Sequence, residues 1–233
     1  MNNSKIIGAK TGEPWLGLLD GTYAIILTLL VIELPALIIE LINLAEEGTS
    51  VAAVTSAIAT NIIGYLFATT LIYDLWSLHK GIENISIASR FNSIFTMFIL
   101  WFGSLLPPAI YLVQHYSQKF LISEILNEEE LSTLNFEILL IRFFEIGLFV
   151  IIYILMFTLI KNEIKSSSRG DSKFRKELSE TSKIIAYRFI ASIILLMISL
   201  FLPTGVLAEL PLALLAVFTL LPSDSYGKKL IST

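Results

Sequence analysis

Six stretches of this chain are long and apolar enough to cross a bilayer, and nothing else in the sequence restricts its folds as much. A helix needs about 20 apolar residues to cover a hydrocarbon layer ~30 Å thick. The stretches fall at about 16–39, 51–75, 92–113, 136–160, 184–202 and 206–221. Lipid offers no partner to a backbone N–H or C=O group, so spanning segments fold as helices or close into barrels. The period-2 alternation of a barrel strand is missing. The expected class is all-α: one six-helix transmembrane domain covering residues 1–233. Pro35 is expected to end the first span, Pro107-Pro108 fall inside the third, and Pro211 is expected to kink the short sixth.

Composition narrows the function classes. Hydrophobic residues make up 55% of the chain and charged residues 15%, against about 25% charged in an average soluble domain. A single compact core cannot hide that much apolar surface. The net charge of −4 argues against nucleic acid as a partner. With no cysteine, thiolate metal sites and cysteine nucleophiles are excluded. The first fifteen residues lack the apolar core and small-residue cleavage site of a secretory signal, so they are expected to be retained.

Loop charge sets the orientation. Thirteen of the sixteen Lys and Arg residues lie on one side of a six-span arrangement, in the N-terminal segment, the 2–3 and 4–5 loops and the C-terminal tail. Lys119 stands alone in the loops of the other side, which are rich in Glu, including Glu40, Glu46 and Glu47. Such a bias predicts both termini in the cytoplasm. The acidic face reads either as a solvated rim or as a weak field that concentrates cations.

The first helix, LLDGTYAIILTLLVIELP at 18–35, carries the most information. Asp20 falls at its cytoplasmic end, where a carboxylate needs a partner or water. Ile25, Thr28, Leu29 and Ile32 share one stripe at helical spacing. Around a common axis, several copies would stack apolar rings with a hydroxyl layer between them. Narrow apolar rings gate by dewetting, and oxygen rings replace part of an ion's hydration shell. Taken alone, such a stripe more often means lipid contact or helix packing, and a lone Thr28 more often bonds the carbonyl one turn back.

Asp20-Gly-Thr-Tyr-Ala-Ile-Ile-Leu-Thr-Leu-Leu-Val-Ile resembles the first-helix signature of the transmembrane protein 175 family, approximately F-S-D-G-x-x-A-I-x-x-T-L-L-x-x-x-I. These are the endolysosomal potassium channels of animals and their prokaryotic relatives. Trp76-Ser-Leu-His79 is similar to the family's W-x-x-H at the end of the second helix. Phe91-Asn92 with Ser104-Leu-Leu-Pro107 resembles its third helix. Two departures stand out: Leu18-Leu19-Asp20 replaces Phe-Ser-Asp, and Pro14 occupies a position that is often basic. The resemblance covers about the first half of the chain.

It implies a homotetramer of single six-span chains in a prokaryotic plasma membrane, with helix 1 lining a central pore that passively conducts potassium. Ile25, Leu29 and Ile32 would then be the hydrophobic gate and Thr28 the selectivity layer. Asp20, Trp76, His79 and Asn92 would form a polar network at the cytoplasmic ends of helices 1–3. No cofactor is implied beyond the permeating potassium ion; the partners are lipid, monovalent cations and further copies of the chain.

Other polar residues are less directive. Glu33 lies near the outer end of helix 1, either at the pore mouth or at the lipid interface. Arg142 and Glu145 are spaced to pair on one helix face. Only two histidines exist, His79 and His115, expected on opposite membrane faces, and no H-E-x-x-H, Walker or G-x-G-x-x-G pattern occurs. An enzyme is not expected. The alternatives are a secondary cation transporter, which calls for interrupted helices and midplane charges, and a non-conducting membrane scaffold.

Overall fold

A computed structural model describes residues 13–46, 48–85, 90–121 and 128–166, together with 179, 182–183, 185–191, 193–194 and 197–198. The chain is all-helical with no strand among the described residues. Five helices follow in order: α1 (Glu13–Glu46), α2 (Val51–Ile85), α3 (Arg90–Ser104), α4 (Leu106–Leu121) and α5 (Glu128–Ser166). They supply four candidate membrane crossings, because α3 and α4 together form one, Phe91–Gln118. The expected fifth span is described only at scattered positions, helical at 185–191, 193–194 and 197–198. The expected sixth span at 206–221, the chain ends and the loop acid Glu47 lie outside the described residues.

One proline expectation needs correction. Pro35 does not end the first helix but lies inside α1, which runs on to Glu46. Proline deprives the Val31 carbonyl of its usual donor, yet membrane helices tolerate the loss, and Pro35 sits on an exposed face. The third span is not one continuous helix. It breaks at Leu105, and Pro107-Pro108 open the first turn of α4, where a missing N–H costs little. The Leu105 amide closes that turn onto the Phe102 carbonyl at 3.1 Å.

The α1–α2 connection is a tight reversal. Gly48 takes φ of +103°, a backbone region open to glycine. Its amide donates to the Ala45 carbonyl at 3.2 Å, and the Thr49 amide to that of Leu44 at 3.0 Å, which satisfies the carbonyls left at a helix end. So short a connection makes α1 and α2 antiparallel neighbours.

Leu19, Tyr23, Ile26, Leu30, Leu37 and Leu41 are all buried and recur every three or four residues, with the partly buried Leu34 filling the step between Leu30 and Leu37. They form the seam by which α1 joins the bundle. Tyr153, Phe149, Ile152 and Met156 of α5 share one core with Leu71, Ile72 and Leu75 of α2. Gly103 of α3 lies against Ile26, whose Cδ1 is 3.5 Å from the point a Cβ would occupy there. A bulkier residue would push α3 away from the first helix.

Candidate functional site

Two features converge on α1: an uncovered apolar face and a polar anchor at one end. The face follows from the seam. With positions 19, 23, 26 and 30 turned inward, Ile25, Thr28, Leu29 and Ile32 point away from the bundle. Ile25 is 62% exposed, Leu29 43% and Ile32 63%, although a large aliphatic side chain is normally covered. Thr28 is exposed as well, and its hydroxyl donates to the Ala24 carbonyl at 2.7 Å. That bond uses the hydroxyl proton and leaves oxygen lone pairs free to accept.

The anchor begins with Asp20, whose two carboxylate oxygens are both engaged by α2. The Trp76 indole N–H donates to Oδ1 at 2.8 Å, and Lys80 Nζ donates to Oδ2 at 2.8 Å. Lys80 also lies over the Trp76 ring, 4.9 Å from its centre, a favourable cation–π position. Trp76 and Lys80 are four apart on one helix, so one face of α2 presents an indole N–H, a cation and a π surface to a single acid. The pair is open to solvent, with a third of the lysine side chain and two fifths of the aspartate exposed. Salt therefore screens it.

Beside this anchor the polar contacts are dry. The Tyr23 hydroxyl and His79 Nδ1 are hydrogen-bonded at 3.3 Å, with the rings edge to face. His79 Nε2 lies 3.8 Å from Glu83 Oε1, and Thr96 of α3 donates its hydroxyl to the same carboxylate. All four side chains are buried. They link α1, α2 and α3 in one chain of contacts, where an unpaired polar group would be costly. Asn92 belongs to a third contact, accepting at Oδ1 from the Asn162 amide of α5 at 2.9 Å.

The four residues expected in the polar network lie at the same end of the bundle. Asp20 and Trp76 meet directly, His79 contacts Tyr23 and Glu83, and Asn92 contacts Asn162 of α5. Sequence reasoning did not single out Tyr23, Glu83, Thr96 and Asn162. Glu83 carried a signal, since His79 and Glu83 are spaced to meet on one helix face; the others depend on register between distant helices.

The opposite end has its own pair, His115 Nδ1 of α4 at 3.2 Å from Glu40 of α1. Asp74 of α2 forms a mostly buried ion pair with Arg188. Arg142 and Glu145 are both buried in α5. Among the described residues there is no group of three side chains able to hold a metal ion.

Residues 16–107 match the model of a family described as the endosomal/lysosomal potassium channel TMEM175. The matched segment holds the whole uncovered face of α1, the Asp20 anchor, and α3 to the start of α4. No curated protein and no solved structure matches the chain.

Proposed function

We propose, from the potassium-channel family match over residues 16–107, that this protein is a potassium-favouring cation channel. Its pore would be shared by four copies in a prokaryotic plasma membrane, with both termini cytoplasmic. The observation that carries this reading is the outward face of α1, where Ile25, Leu29 and Ile32 are exposed while the opposite face is fully packed. One chain supplies one such helix, and a single helix encloses nothing. Copies arranged about an axis turn these residues inward as stacked rings.

The proposed mechanism follows from those rings. Ile25, Leu29 and Ile32 make narrow apolar collars that close by drying and conduct when widened enough to wet. Thr28 lies between them with its proton committed to Ala24, so its oxygen can stand in for a water molecule around a dehydrated cation. The Asp20–Trp76–Lys80 contacts hold the near end of α1 to α2, so rotation of α1 must work against that clamp. Discrimination would come from side chains, since no carbonyl loop of the usual potassium-filter kind occurs in the sequence.

Flux from purified protein in liposomes tests the reading. A passive, potassium-favouring current with discrete unitary steps is expected. Slow, saturating flux coupled stoichiometrically to a second ion would replace the channel with a secondary transporter. No flux at all would leave a scaffold.

A further inference from the structure

The anchor and the exposed stripe leave one set of buried polar groups unused, in the half of the bundle near Glu40. Glu33 of α1 has one carboxylate oxygen buried with no partner, and the Asn61 amide nitrogen, the Tyr65 hydroxyl and the Gln114 amide oxygen are in the same condition. Asn61, Tyr65 and Gln114 are each buried to within a few per cent. Such groups inside hydrocarbon are expensive and mark functional positions. Glu33 has no ion-pair partner among the described residues.

Three of these groups share one level of the bundle. The Asp20–Trp76 contact fixes α1 against α2. Counting up from it at the helical rise puts Glu33 at roughly 20 Å, Tyr65 at roughly 16 Å and Asn61 at roughly 22 Å. Asn61 and Tyr65 are one turn apart on the same face of α2. On α4, the Glu40–His115 contact puts Gln114 roughly 9 Å above Glu33 by the same count, outside this level. The Tyr65 phenol lies within electrostatic reach of the Glu33 carboxylate.

We propose that Glu33, Asn61 and Tyr65 form a binding site for one alkali-metal cation between α1 and α2, separate from the outward stripe of α1. The donors are hard oxygens, which suit an alkali cation better than a transition metal. The set carries one carboxylate, so a single positive charge neutralises it. A side-chain flip lets the Asn61 amide offer its oxygen to the ion. Glu33 is itself only half-buried, which leaves a route for the ion to enter.

The test uses the full-length purified protein and its thermal unfolding midpoint, titrated with potassium chloride against N-methylglucamine chloride at constant ionic strength. A saturable rise with potassium alone is expected. Glu33→Gln and Tyr65→Phe should each weaken the apparent affinity about tenfold or more, while Leu140→Ala, on the exposed face of α5, keeps the response. An unchanged potassium response in Glu33→Gln overturns the site, and if that variant does not fold, an unchanged response in Tyr65→Phe does so. A response equal in N-methylglucamine, or one that follows pH without potassium, also overturns it. Thallium in place of potassium should give an anomalous peak beside Glu33; peaks confined to the oligomer axis would remove the site and leave the channel reading intact.

Discussion

The first and last described crossings have similar apolar sequences and opposite fates. Of the most apolar stretch of α1, 22% is buried, against 50% for that of α5. Helix α5 spends its large residues, such as Phe149 and Tyr153, inside the subunit. Helix α1 spends only a seam there and leaves Ile25 and Ile32 outside. In a bilayer an uncovered apolar face is no defect, since lipid tails are as apolar as leucine. The difference separates a helix that fills the core from one that keeps a free apolar face, the face that the proposed channel would share between copies.

The strongest way to break that contrast is truncation. Phe149→Ala should cost about 3–5 kcal/mol in denaturant unfolding from micelles, whereas Ile25→Ala should stay within about 0.5 kcal/mol. Equal losses would mean that the outer face of α1 is packed as tightly as α5. The next test concerns conduction. Ile25→Asn should raise leak current about tenfold, equivalent to ~1.4 kcal/mol off the wetting barrier. Leu140→Asn, on the exposed face of α5, should leave current unchanged, and a leak from both would erase the distinction.

Smaller effects probe the anchor. Trp76→Phe removes the indole N–H together with part of the ring under Lys80 and should cost about 1–2 kcal/mol. Lys80→Met should cost no more than about 1 kcal/mol, shrinking further in high salt because the pair is solvent-exposed. A salt-independent loss would show that Lys80 acts through packing. The finest test is Thr28→Val, read as a shift of the reversal potential between potassium and sodium toward equality. An unaltered potential would take the hydroxyl layer out of selectivity.

Much of this contrast was readable in the residues themselves. The stripe at 25, 28, 29 and 32 follows from a local helical period, and the nearness of Asp20 and Trp76 from the family resemblance. The Tyr23 partner of His79 and the Asn162 partner of Asn92 were not readable, because they are fixed by how helices 56 to 70 residues apart slide against one another. Lys80 was legible only as one of the basic residues of the 2–3 loop; its bond to Asp20 depends on the same register. Helix ends were hidden for a different reason. Hydropathy marks the part of a helix that lies in oil, whereas α1 and α5 continue well past it at both ends, and a proline such as Pro35 does not stop a helix that lipid holds together.

The Asp74–Arg188 pair carries a lesson about autonomy. It joins a position in the recognisable first half of the chain to one in the half that no family signature covers. A fragment that stopped after residue 107 would strand the Asp74 charge inside the bundle, and orphaning one member of such a pair costs about 3–5 kcal/mol. The recognisable segment is thus a set of working parts rather than a self-sufficient folding unit, and its divergent remainder is under a physical obligation to keep one cation at a fixed depth.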